Sequence, residues 1–106
     1  MKELTKTEEI LLLAIWRLKD DAYGVKIRQY VSQIIGKEFT YGNLYSALSQ
    51  LAKKKYVKKT LGEPTEDRRG RRKIYYTVSA AGMKALKVAR EMNQKMWKDI
   101  GDYAFD

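Results

Sequence analysis

The chain has 106 residues, 44% of them apolar, with no cysteine, no histidine and a net charge of +9. That length suits one small domain whose modest core a second subunit would help to complete. The missing Cys and His remove disulfides, Cys/His zinc sites, thiol nucleophiles and imidazole bases, and no other arrangement of residues argues for an enzyme or a cofactor. Residues 53–73 carry ten Lys/Arg against three acids, so this fifth of the chain is +7 while the other 85 residues sum to +2. A polyanion is the natural partner of such a segment; a solubilising loop is the alternative. The longest apolar run, Ile10–Trp16, is seven residues, against the roughly 20 of a membrane span. No signal peptide precedes it, so a cytoplasmic protein is expected.

Thr5 with Glu8 three residues on reads as a capping box. It opens a helix over roughly 6–18 whose run Ile-Leu-Leu-Leu-Ala-Ile-Trp is apolar on nearly every face. Such a helix needs cover on two sides, one from its own domain and one from a second body. After the polar break 19–22, Val25, Ile27, Tyr30, Val31 and Ile34 recur at helical spacing, predicting a helix over Tyr23–Ile35 with Gly36 at its left-handed cap. Thr40 is an N-cap for a third helix over 41–54. Leu44, Ala47, Leu48 and Leu51 form its buried stripe, and Gly42, Asn43, Ser46, Ser49, Gln50 and Lys53 form a small, polar opposite face free of acids. Short helices joined by a tight connector, the last with a small polar face, predict a helix-turn-helix.

The period then changes from helical to alternating. Tyr56–Leu61 and Lys73–Val78 are β-rich runs, and the Gly/Pro-punctuated stretch 62–72 between them reads as a basic loop. A hairpin of this kind after three helices is a wing. Ser79 caps a last helix running to about Asp99 or beyond, with Leu86, Ala89, Met92, Met96, Ile100 and Tyr103 recurring every three or four residues. A helix of about 20 residues is roughly 30 Å long, so it outruns a small domain, and a second chain is the simplest cover for its stripe. The expected fold is mainly α with a small β-hairpin: a winged helix-turn-helix over 1–78 and a C-terminal dimerisation helix over 79–106.

These residues resemble the PadR family of transcriptional regulators. The similarity runs from Leu4-Thr5 through Ala22-Tyr23-Gly24-Val25, Gly42-Asn43-Leu44-Tyr45-Ser46-Ala47-Leu48 and Leu51 to Leu61-Gly62-Glu63-Pro64-Thr65, Gly70-Arg71-Arg72-Lys73, Tyr75-Tyr76 and Ala81-Gly82. The chain departs from the family's pattern at Arg69 and Lys55, where glycine is frequent, and at Asn43, where threonine or alanine is frequent. The resemblance implies a homodimeric repressor on palindromic promoter DNA, dimerised by the C-terminal helix against the partner's N-terminal helix and in some members released by small, often aromatic, molecules.

The site residues expected fall into four groups. Tyr41, Gly42, Asn43, Tyr45, Ser46, Gln50 and Lys53 form a recognition face, with Asn43 and Gln50 able to pair bidentately with adenine; Tyr45 as a core-edge aromatic is the alternative for that residue. Arg68, Arg69, Gly70, Arg71, Arg72 and Lys73 form a phosphate-binding wing. Ile10, Leu13, Leu86, Ala89, Met92, Met96 and Ile100 form a dimer interface. Trp97 with Met92 and Met96 offers a slot for a flat aromatic effector, with plain interface packing as the alternative. Competing readings of the whole chain are a non-specific, architectural nucleic-acid binder and a winged helix used only for protein contacts.

Overall fold

Helix α1, Lys6–Leu18, starts at the capping box: the Thr5 hydroxyl accepts from the Glu8 amide at 3.1 Å and the Thr5 amide donates to the Glu8 carboxylate at 2.8 Å. The computed structural model, which describes residues 2–64 and 72–106, places α1 at the centre of the molecule, touching every other major element except β1 to a substantial extent. Leu11, Leu12, Ala14 and Ile15 are buried along its inner face, while Leu13 and Trp16 stay about half exposed on the other. This matches a helix apolar all round but covered by its own domain on one side only.

A single 3-10 turn, Lys19–Asp21, leads to α2, Gly24–Ile35. Tyr23 sits just outside this helix as its N-cap, with extended backbone, rather than inside it. The Ala22 carbonyl accepts from the Tyr76 amide, and Tyr23 bridges to Tyr75. Gly36 ends α2 in the left-handed region, φ 73°, where a side chain would be strained. The turn to α3, Tyr41–Lys53, is held from inside. The Ser32 hydroxyl accepts from the Phe39 amide at 3.0 Å, and the Arg28 guanidinium donates to the Phe39 carbonyl at 3.3 Å. Thr40 caps α3 by accepting from the Asn43 amide. Ile27 and Val31 of α2 and Leu44, Leu48 and Leu51 of α3 join α1 in the core.

α3 closes with the paired hydrogen bonds of a Schellman cap. The Tyr56 amide donates to the Leu51 carbonyl and the Lys55 amide to that of Ala52, both at 3.0 Å. Lys55 takes the left-handed position, φ 64°, which glycine would occupy at about 1–2 kcal/mol less. Tyr56 thus belongs to the end of α3, and strand β1 is Val57–Pro64, later and longer than its alternation alone indicates. It pairs antiparallel with β2, Arg72–Val78. Val57 faces Val78, Lys59 faces Tyr76 and Leu61 faces Ile74, and a register shift follows between Leu61 and Pro64, which pairs with Arg72. The offset is one extra residue on β1, a bulge that bends the hairpin. Gly62, Glu63, Pro64 and Arg72, expected in the loop, are strand residues for this reason.

Ser79 caps α4, Ala80–Trp97, and anchors its start. Its hydroxyl donates to the Lys55 carbonyl at 2.7 Å, and its amide to that of Tyr56. A β-carbon on Gly82 would lie 2.3 Å from the Tyr56 carbonyl oxygen, so only glycine lets the first turn of α4 approach this backbone. Gly82, Ala85 and Leu86 are buried, and the first two turns of α4 are part of the core. The helix stops at Trp97, short of Asp99: Lys98 turns extended and Asp99 takes φ 66°. Ile100 and Tyr103, expected on the helical stripe, instead lie beyond it, Tyr103 in a 3-10 turn over Asp102–Phe105.

One polar interaction ties the two ends of this assembly. Glu8, 3% exposed, receives the Lys54 ammonium at 2.7 and 2.9 Å, and the same ammonium donates to the Glu3 carbonyl. Burial pushes the Glu8 carboxyl up, but hydrogen bonds from Lys54 and from the Thr5 amide outweigh it and hold the group below its ordinary value of 4.5. A carboxylate held low contributes stability above its unfolded value and loses it as pH falls through the folded one. The chain should therefore lose stability below about pH 4.5, and urea unfolding of Glu8→Gln should show a smaller loss over that window. At pH 7 the same variant should be less stable by about 3 kcal/mol, the low end for breaking a buried pair, since Lys54 keeps the Glu3 carbonyl. Separately, Arg28→Met removes the charged donor to Phe39; a drop in stability of about 1–3 kcal/mol is expected, read as a lowered urea midpoint without change of slope.

Candidate nucleic-acid interface

The outward face of α3 is built by the cap and the core stripe together. Leu44, Leu48 and Leu51 point inward, so Gly42, Asn43, Ser46, Ser49, Gln50 and Lys53 face solvent, and all six are exposed. No acid occurs within the helix. The face thus offers amide, hydroxyl and ammonium groups with nothing of its own to repel a phosphate.

Tyr41 and Tyr45 stand one helical turn apart and stack, ring centroids 6.2 Å apart and planes 15° from parallel. The Arg28 guanidinium lies 4.4 Å over the Tyr41 ring, so the arginine that holds the connector also orients the first residue of α3. Tyr45 is half exposed, with its hydroxyl against Gly24 at the start of α2. It is neither a core-edge aromatic nor a free one: its ring edges a cleft of about 120 Å³ between α2, α3 and the base of the hairpin. Arg72 and Lys73 line the same cleft from β2. The Lys73 ammonium sits 4.2 Å over the Tyr23 ring, which packs edge-on against Tyr75 at 5.6 Å. Burial pushes the Tyr76 phenol up from its ordinary value, and nearby Tyr45 adds to this. Tyr76 is therefore a neutral wall of the cleft at any physiological pH.

The fold brings Tyr45 of α3, the start of α2 and the first residues of β2 together around one cleft. Of the wing residues, Arg72 is exposed and Lys73 half-buried; Arg68, Arg69, Gly70 and Arg71 lie outside the described residues. Two groups escaped the sequence reading. Lys54, counted in the basic segment, is the partner of Glu8 and not a free cation. Arg28, which fixes the connector and Tyr41, carries no sequence signal beyond its place beside the buried stripe of α2. Neither interaction, at separations of 46 and 11 residues, follows a local period.

The residues expected at an interface divide. Leu13, Met92, Met96 and Ile100 are exposed, and Ile10 and Ala89 half-buried. Leu86 is buried among α1 and α4 residues of its own chain, because the start of α4 packs into the core. Trp97 lies against Phe105 at 6.0 Å, a neighbour supplied by the turn after the helix. Among the described residues no group of acids could hold a metal ion, and no helix is long and apolar enough to cross a membrane.

The model of the PadR-like family of transcriptional regulators matches residues 12–88. No curated protein matches the chain. Among solved structures, the chain resembles a PadR family transcription regulator from hypervirulent Clostridium difficile at a TM-score of 0.66 and 25% identity, over 93% of this chain and 98% of that one. It shares its fold with RosR of H. salinarum, at a TM-score of 0.71, 23% identity, and coverage of 95% and 84%. It does so too with a PadR-like transcription factor from Bacteroides fragilis, at a TM-score of 0.71, 21% identity, and coverage of 84% and 81%. Four helices with a two-stranded wing, and a family match over most of the length, lead to one assignment: the chain belongs to the PadR-like family of transcriptional regulators, proteins that are not enzymes.

Proposed function

We infer that this regulator reads a palindromic DNA site as a homodimer and represses transcription from it. The observation that carries the reading is the exposed, acid-free face of α3 beside the basic hairpin. A helix with this face fits the major groove, and Asn43 and Gln50 have the paired donor and acceptor that adenine's edge requires. Ser46 reaches either kind of base, Lys53 and the Tyr41 and Tyr45 hydroxyls reach phosphates, and the wing arginines follow the backbone or the minor groove. Residues 1–78 supply these contacts, and 79–106 supply the dimer contact.

Dimerisation is supported by the exposed apolar groups that one copy leaves without cover. Val88, Met92 and Met96 recur every fourth residue along α4 at 47%, 51% and 70% exposure. Leu13, 45% exposed, and the half-buried Ile10 add apolar surface on α1, where Leu13 lies beside Met83 and Leu86 of α4. A twofold pair would set two α3 helices about 34 Å apart, one turn of DNA, which makes an operator of inverted half-sites the matching target.

Selection from a random DNA pool tests the reading, with enrichment of inverted repeats expected; a pool recovered without any preference would favour an architectural role. Gln50→Ala should cost about 1–3 kcal/mol of discrimination at one base position while leaving non-specific affinity unchanged. Alanine at both Arg71 and Arg72 should lower the slope of log affinity against log salt by about 0.9 for each phosphate no longer neutralised, with base preference retained. An unaltered slope would exclude the wing from the complex.

A further inference from the structure

Two features of the chain, Lys53 apart, have no role in DNA reading. The first is the segment after α4. Residues 99–106 hold three of the chain's 13 acids, Asp99, Asp102 and Asp106, and none of its 22 Lys/Arg, so the rest of the chain is +12. The same segment exposes Ile100, Tyr103 and Phe105. The second is a cleft at the start of α4, about 440 Å³ in volume, lined by Lys2, Lys53, Lys54, Lys55 and Lys84 over the backbone and side chains of Tyr56 and Ala81. No acid lines it. Lys54 is committed to Glu8, and among the described residues the other four lysines have no carboxylate within 4.0 Å. The cleft is rigidly framed, since Ser79 binds the Lys55 and Tyr56 carbonyls. Lys55 occupies a left-handed position that glycine would fill with less strain.

We propose that residues 98–106 of one copy form a strap that crosses to the second copy and seats its aspartates on that copy's Lys2–Lys55–Lys84 cleft. This rests on the dimer reading above. The exposed stripe Val88–Met92–Met96 is centred on Met92, so two α4 helices packed antiparallel along it set Val88 of one beside Met96 of the other. Trp97 is then opposite the partner's residue 87, five positions on the other side of the centre, and the chain beyond it runs toward the start of the partner's α4. Lys84, Ala85 and Val88 lie on that same side of the helix, adjoining Leu4 and Lys2. The apolar groups of the strap meet the groove between Leu4 and Val88, and its three aspartates meet the lysines. A strap of nine residues spans up to about 30 Å when extended, and crossing requires the turn over Asp102–Phe105 and the Phe105–Trp97 contact to open.

The test is the dimer dissociation constant of the full chain, measured by sedimentation over a dilution series at low salt. Asn at Asp99, Asp102 and Asp106 together, or Glu at Lys2 and Lys84, should each raise it roughly tenfold, the effect of a few partly exposed ion pairs. Lys at Asp99 and Asp102 combined with Glu at Lys2 and Lys84 should restore it. Because the chain lacks cysteine, Lys84→Cys mixed with Tyr103→Cys should give a disulfide between two copies that neither variant forms alone. An unchanged constant in the single-side variants, absence of the crosslink, or weakened DNA binding without weakened dimers would overturn the strap while leaving the dimer standing. A parent chain monomeric at every concentration would instead remove the dimer reading itself.

Discussion

The buried pair of Glu8 and Lys54 fixes the direction in which the polar face of α3 points. Glu8 completes the cap that starts α1, and Lys54 is the C-cap of α3, so one ion pair joins the beginning of the central helix to the end of α3. Two charges taken from water are stable there because each carboxylate oxygen and each ammonium proton has a partner, the Thr5 amide adding to the carboxylate and the Glu3 carbonyl to the ammonium. Removing Glu8 leaves the Lys54 ammonium largely buried with the Glu3 carbonyl as its remaining partner, which is why the penalty exceeds that of a surface pair. For a domain whose total stability is on the order of 5–15 kcal/mol, that penalty is a large share. The opposite end of α3 is held at the connector, where the Ser32 hydroxyl accepts from the Phe39 amide and the Arg28 guanidinium donates to the Phe39 carbonyl. The helix is thus pinned at both ends, and its polar face needs no contact of its own to be presented.

The charge of the molecule is distributed to the same end. The segment from Lys53 to Lys73 is strongly basic, yet the fold divides it among three tasks. Lys54 is structural, Lys73 lies over an aromatic ring at the base of the wing, and Lys53 and Arg72 remain open to solvent. A count of charge therefore overstates the free cations available to phosphate. The cations that remain, Lys53 and Arg72 among them, would set encounter rate and salt dependence in the proposed complex, while the neutral Asn43 and Gln50 would carry the choice of bases.

Local rules made much of this legible from the residues. Thr5, Thr40 and Ser79 all cap helices as their spacing to the following amides indicates, and the switch from a period near 3.6 to a period of 2 marks the hairpin. The rules failed where a distant interaction decided. Leu86 has the spacing of an interface stripe, but the close approach permitted by Gly82 draws the first turns of α4 into the core and takes Leu86 with them. The helix also ends at Trp97, two residues before Asp99, at a point that no glycine or proline marks. The bulge in β1 depends on register with a strand on the far side of a loop, and strand alternation alone carries no register. The face of α3 was readable because a helix's buried stripe defines its opposite; Arg28 and Lys54 were not, because their partners lie across the fold.

The two halves of α4 explain how a small core and the proposed dimer contact can share one helix. Its first turns are closed against Tyr56 and α1 and cannot move without opening the core. Its last turns carry exposed methionines and a tryptophan whose one described aromatic neighbour is Phe105 of the same tail. The helix is about 27 Å long by its 18 residues, so it acts as a rigid arm between the winged domain and the proposed twofold axis. The separation of the two recognition helices is then set by where α4 crosses its mate, and a small rotation at Met92 is magnified at α3. In such a geometry, anything that alters packing along Val88, Met92 and Met96 changes the fit to two half-sites without touching a single DNA-reading side chain. In the proposed complex the wing and α3 would decide which DNA is bound, whereas the free half of α4 would decide whether both copies can bind it at once.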